Sequence, residues 1–294
     1  MQECYDALVL PGGYPARLAA ALAALGFEHC VRAPRAPDAP ATLAQNSGLL
    51  IASRRAIVRS ERLTFGLSVE SCNVNRGALH AELAGGLHVF TCHVTPGPGV
   101  ASAYGKGIYA PAVLRARRAQ ARELCAFIAR VAGPGAPAVL AGDLNLGVTF
   151  RDAQGRRSML GVAQPQPEAR RLLADLHTRC GLQEATAAAR GGEGGEGGAG
   201  GGAAGGSGTL AHLRPTFGYT GEGGGAAERC LTSFGDDGGS HCSCDDAVCF
   251  RPAALRLLSV AEVPLEIPAP RRPAPPVTHV SDHWAVKACF LAPA

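Results

Sequence analysis

Pro137-Ala138-Val139-Leu140-Ala141-Gly142-Asp143-Leu144-Asn145 is the stretch on which the reading of this chain turns. Pro137 to Leu140 is a short apolar run that predicts a buried strand. It delivers an acid, Asp143, at its carboxyl end, with an amide two residues further on. Residues two apart on an extended segment point the same way, so Asp143 and Asn145 are expected side by side. An acid and an amide so placed can hold a phosphoryl oxygen and a nucleophilic water. Gly-Asp and Asn are also ordinary turn residues, so the stretch gains weight only from what accompanies it.

Three further pieces accompany it: Gln2-Glu3 at the start, Thr91-Cys92-His93 in the first third, and Ser281-Asp282-His283 near the end. Each places an acid or a histidine where the chain leaves or enters an apolar stretch, so these side chains can converge on one rim of a sheet. Carboxylate and amide oxygens suit a hard divalent cation, and a histidine beside one of them suits proton transfer. His283 follows Asp282 directly and precedes an apolar strand; a cation held by the acid would activate what the histidine deprotonates. A histidine base needs a partner that fixes its tautomer. Asp245 and Asp246 are expected to open another strand, and Asp246, heading Ala247-Val248-Cys249-Phe250, fits that role better. His93 ends a strand between Thr91 and Thr95, beyond a hairpin whose first strand starts at Arg76-Gly77, where a cation could meet a phosphate. The plain alternatives are a loop ending in Asp-His and a structural histidine at a strand end. Together the pieces imply metal-assisted cleavage of a phosphate ester.

Local patterning supplies the frame. A helix is expected from about Ala16 to Leu25, closed by Gly26 in the usual cap position. Extended runs follow at Gly48–Ser53, Ala56–Phe65, Ala78–Leu83 and Leu87–Val94, the last two joined by the hairpin signal Ala84-Gly85-Gly86. From Ala112 to Val131, Leu114, Leu124, Cys125, Ile128 and Val131 recur at helical spacing. Arg115, Arg117, Arg118 and Arg122 are assigned to a solvated face. A second helix is expected over Pro167 to His177, and strands near Ala247–Phe250, Leu255–Val263 and Trp284–Leu291. Residues 190–208 are nearly all glycine, alanine and glutamate, which cannot build a core, and read as a flexible insertion within one domain spanning 1–294.

Composition sets the limits. Of 294 residues 47% are hydrophobic, enough for a substantial core, while aromatics are only 5%. A net charge of +4 without a basic block is too mild to argue for nucleic acid as the partner. Eleven cysteines, an odd and scattered set, fit buried reduced thiols better than a disulfide framework. His241-Cys242-Ser243-Cys244 lacks paired Cys-x-x-Cys knuckles, so zinc is disfavoured. No signal peptide and no apolar run near the ~20 residues of a membrane span is visible. A soluble, intracellular protein, cytoplasmic with peripheral membrane contact, is expected.

In this order the pieces resemble the endonuclease/exonuclease/phosphatase superfamily, and within it the neutral sphingomyelinases. Asn46-Ser47-Gly48-Leu49-Leu50-Ile51-Ala52-Ser53-Arg54 is similar to the segment those enzymes carry after the first helix. Arg76-Gly77-Ala78-Leu79 resembles their Lys-Gly-Ala-Leu strand start. Arg118-Ala119-Gln120, with Glu123-Leu124, resembles the helix before their Gly-Asp motif. The resemblance implies a four-layer α/β sandwich of the deoxyribonuclease I type. It implies Glu3 as principal magnesium ligand, manganese being the alternative ion, with Asp282 at or beside the same metal site. It also implies His283 as general base oriented by Asp246, Asp143 and Asn145 positioning water and phosphoryl group, and His93 binding the phosphate and assisting the leaving oxygen. The implied substrate is a phosphorylated lipid headgroup at a membrane surface; a nuclease, an inositol-polyphosphate phosphatase and a truncated non-catalytic member are the alternatives. Two departures are noted. Met1 adjoins Gln2 where the family has an asparagine-bearing strand and a helix, so a fragment or incomplete gene model lacking both is expected. Ala247 stands where a tyrosine usually follows the acid.

Overall fold

A computed structural model describes residues 3–6, 20–33, 49–66, 76–96, 110–151, 154, 162–164, 167–191, 217–218, 229–230, 242–263, 277–279 and 285–291. Its centre is the predicted hairpin. β5 (Gly77–Leu83) and β6 (Leu87–His93) pair antiparallel. Gly85 and Gly86 turn the chain at φ 95° and 80°, a left-handed backbone that side chains resist. β4 (Ile57–Thr64) pairs with β5 on one side. On the other side β7 (Ala138–Arg151) runs parallel to β6, a pairing that needs a long crossover, and helix α1 (Ala110–Ala132) lies in that connection. β12 (Cys242–Phe250) adds antiparallel to β7, and β10 (Phe217–Gly218) lies beyond it. The large sheet therefore runs β10-β12-β7-β6-β5-β4, with β8 (Val162–Gln164) and β9 (Gln183–Glu184) attached to β7 and β12.

A smaller antiparallel sheet has the order β1-β3-β2, from β1 (Glu3–Asp6), β2 (His29–Arg32) and β3 (Leu49–Ser53). All five residues of β3 are buried, as the apolar run Leu49–Ala52 requires of a strand covered on both faces. β13 (Arg256–Val263) pairs antiparallel with β15 (Ala285–Leu291), and β11 (Arg229–Cys230) pairs parallel with β14 (Val277–His279).

Side-chain alternation along β5 and β6 sets the layers. Leu79, Ala81, Leu83 and Val89 pack on Leu49 and Ile51 of the small sheet. Ala78, Phe90 and Cys92 face the other way, onto Leu124 and Ile128 of α1 and onto Leu172 and Leu176 of α2 (Pro167–Cys180). Val139, Val248 and Phe250 meet α3 (Ala185–Gly191) and the β13–β15 pair in a third core. Leu22 and Phe27 cover the outer face of the small sheet at Leu50 and Ala52. The order helix, sheet, sheet, helix is the expected four-layer α/β sandwich. Gly26, at φ 84°, ends the 20–24 helical segment as predicted, with Phe27 N–H donating to Leu22 O at 2.9 Å.

Three expectations change. The arginine face of α1 is not uniformly solvated: Arg117 is only 5% exposed. Asp246 does not open its strand but lies inside β12, because pairing begins earlier, at Cys242. The segment read as flexible from residue 190 begins as the end of α3, which runs to Gly191, and 192–208 lies outside the described residues. Cys92 and Cys125 are buried outside any disulfide, as expected, whereas Cys289 is half-buried and Cys30 is exposed. Cys72 lies outside the described residues, as do the side chains of the 241–244 stretch.

Candidate active site

Strand register brings three of the predicted residues into one row. His93 of β6 is the partner of Asp143 of β7, and Asp143 is the partner of Asp246 of β12. Directly opposed residues on neighbouring strands share a face, so an imidazole and two carboxylates lie together across three strands. His93 Nε2 is 3.1 Å from Asp143 Oδ2. The Asp143 side chain is 8% exposed and that of His93 25%, so the acid is sheltered while the ring meets solvent.

β7 kinks immediately after Asp143. Cys244, Asp245 and Asp246 run against the whole stretch from Asp143 to Val148, so β7 bulges out of the ladder there. Asn145 sits in the bulge at φ 45°, a left-handed backbone that asparagine tolerates better than most residues. The simple alternation expected of Asp143 and Asn145 therefore fails. In its place the Asn145 N–H donates to Asp143 Oδ1 at 2.8 Å, the local turn that an aspartate favours. The Asn145 side chain turns back, its Nδ2 donating to Val94 O at 2.8 Å. Asp143 thus has one oxygen on the imidazole and one on a backbone N–H.

Close strand contact makes the row possible. A Cβ added to Gly142 would lie 2.4 Å from Cys92 O and 2.8 Å from Cys92 N, so β6 and β7 approach as they do only because this residue is glycine. Gly142→Ala is expected to push the strands apart beside Asp143, destabilising the protein by about 1–3 kcal/mol. Chemical denaturation checks this; an unchanged midpoint would mean that the strands yield freely.

Residues not singled out for the site support it from behind. Arg117 of α1 donates to the carbonyls of Thr95 and, at 2.8 Å, Asn145. Gln120, fully buried, accepts the Thr95 N–H at 2.9 Å and donates to Thr95 Oγ1 at 2.8 Å. The signal was present: Arg117 stands three residues after Leu114 and seven before Leu124, on the apolar stripe rather than opposite it. Arg76, proposed from sequence as a phosphate contact, is 7% exposed, and its Nη1 donates to Val94 O at 3.2 Å.

The remaining predicted residues are placed less fully. Glu3 belongs to β1, and β1 packs against both β6 and β7, the strands that carry His93 and Asp143. The Glu3 side chain, Asp282 and His283 lie outside the described residues. Among the described residues no group of three His, Cys, Asp or Glu side chains is gathered as a metal site. The donor chemistry still fits a hard ion. Asp143 and Asp246 oppose each other as like charges, which is costly across a strand pair, and oxygen donors are what magnesium and manganese take.

A two-sheet α/β sandwich with two acids and a histidine in register across adjacent central strands fits a phosphoester-processing fold. The chain belongs to the endonuclease/exonuclease/phosphatase family, whose profile matches residues 3–283; its members are hydrolases acting on phosphoester bonds. Solved structures agree on the fold. D. rerio TDP2 in complex with single-strand DNA product is 16% identical, with 99% of this chain and 84% of that chain covered, at a TM-score of 0.52. Sphingomyelinase C from Streptomyces griseocarneus is 19% identical, covering 93% and 80%, at 0.52. The human Nocturnin catalytic domain is 14% identical, covering 95% and 77%, at 0.51. No curated protein sequence matches the chain.

Proposed function

We propose that this protein is a divalent-metal-dependent phosphodiesterase that cleaves the phosphate headgroup ester of a sphingolipid or phospholipid. The observation that carries the phosphodiesterase reading is the row His93–Asp143–Asp246, with His93 Nε2 at 3.1 Å from Asp143 Oδ2. Support for the lipid branch comes from the ordered segments resembling neutral sphingomyelinases and from the absence of a basic block in a chain of net charge +4. The single-strand DNA in the D. rerio TDP2 structure supports nucleic acid as the second reading.

In this proposal Asp143, its Oδ1 held by the Asn145 N–H, orients the attacking water. His93 binds the phosphate and assists departure of the leaving oxygen. His283, oriented by Asp246, takes the proton of the water. Glu3 and Asp282 would hold magnesium, or manganese in its place, and the bound ion supplies positive charge against that developing on the phosphoryl oxygens. The proposed lipid contact is peripheral; among the described residues no helix is long and apolar enough to cross a membrane.

Hydrolysis by the purified chain tests the proposal, with fluorescent sphingomyelin, inositol-phosphoceramide and plasmid offered in magnesium buffer with and without EDTA. Release of a phosphorylated headgroup that EDTA stops, with the plasmid intact, is the expected result. Plasmid nicking would move the protein to the nuclease branch, and EDTA-insensitive turnover would refute the metal dependence. His283→Ala is expected to remove hydrolysis while the protein stays folded; wild-type turnover would rule out its role as base.

A further inference from the structure

We propose that Arg117 is a positioning residue that holds the Asp143–Asn145 turn in its reactive shape; the assignment rests on the phosphodiesterase reading of that site. Arg117 projects from α1 into the back of the site and is 5% exposed. Its guanidinium donates to Thr95 O, to Asn145 O at 2.8 Å and, more weakly, to Leu144 O at 3.5 Å. One planar fork thereby ties the exit of β6, just past His93, to the bulge of β7, just past Asp143. A buried cation is costly unless its hydrogens are used, and arginine is the side chain whose rigid fork can reach carbonyls on two strands at once. The residue it grips, Asn145, has left-handed backbone, a conformation kept only when its surroundings enforce it. That backbone aims the Asn145 N–H at Asp143 Oδ1. Without Arg117 the turn would relax, and Asp143 would lose the donor that fixes its carboxylate beside His93.

A second buried arginine provides the control. Arg251, also 5% exposed, donates to Gly133 O, Ala136 O and Cys180 O, holding helix ends remote from this row. R117M and R251M should both lower the thermal midpoint. Per folded molecule, R117M is expected to lower kcat about 100-fold with KM within threefold, since small displacements of a reacting group cost rates of that order. R117K should restore part of the loss, and R251M should keep kcat within twofold. Should R117M not fold, R117K carries the same split between kcat and KM. Wild-type kcat in either Arg117 variant, or an equal loss in R251M, overturns the proposal. If the wild-type chain hydrolyses nothing, the phosphodiesterase reading fails, and amide hydrogen exchange decides the holding of the turn. Exchange of the Asn145 and Thr95 amides at least tenfold faster in R117M than in R251M supports it, and equal exchange overturns it.

Discussion

Asp143→Ala is expected to lower kcat by about 10³-fold or more while leaving a folded protein. Proton transfer and positioning by one side chain contribute roughly 10²–10⁴-fold, and Asp143 joins two such roles. Its Oδ2 meets His93 Nε2 at 3.1 Å and its Oδ1 accepts the Asn145 N–H at 2.8 Å, so its removal releases both partners together. The cost in stability is smaller and has two signs. Leaving the Asn145 N–H without its acceptor costs about 1–3 kcal/mol, whereas losing a charge opposed to Asp246 across the ladder relieves repulsion. Asp143→Asn separates these effects, because its amide oxygen can still accept the Asn145 N–H while the charge is gone. Turnover and denaturation midpoint measured on both variants check the argument. Wild-type turnover in Asp143→Ala would remove Asp143 from the mechanism.

Acid is expected to unfold this protein through a histidine on the helix-facing side of the large sheet. His80 of β5 is fully buried on the helix-facing side of the large sheet, its Nε2 3.0 Å from His88 Nδ1 and its ring against Phe90. Its Nδ1 is one of two buried side-chain polar atoms without a hydrogen-bond partner among the described residues. Burial above all, then the charges of His88, Arg59 and Arg130, push its pKa from 6.5 down to about 4, with Glu61 opposing. Burial likewise lowers His88, against the pull of Glu82. The sign follows directly. Below pH 6.5 the unfolded chain takes up a proton that the folded protein refuses until about pH 4, so stability falls as pH drops through that window. For His80 alone the loss approaches about 3 kcal/mol. Urea denaturation at pH 7 and pH 4.5 should show it, and His80→Leu should flatten the dependence. An unchanged slope in that variant would assign the acid sensitivity elsewhere.

Where local pattern and tertiary environment agreed, the chain was legible. The β5–β6 hairpin, the Gly26 cap, the helices at Ala110–Ala132 and Pro167–Cys180 and the apolar run into Asp143 follow from periodicity and turn residues, which act over a few neighbours. Family membership was readable for a related reason: a handful of short motifs in fixed order survives changes that erase overall identity. What periodicity could not show lay in relations between distant segments. The alignment of His93, Asp143 and Asp246 depends on strand register, and the burial of Arg117 depends on carbonyls contributed by β6 and β7. The left-handed turn at Asn145 reversed an expectation drawn from regular strand alternation, because β7 bulges where β12 does not. By itself the sequence determined which residue types and local elements this protein has, since those choices rest on contacts within a few positions. Only the tertiary structure decided which side chains face one another and which charges are buried, because register and desolvation are set by strands and helices that meet from far apart in the chain.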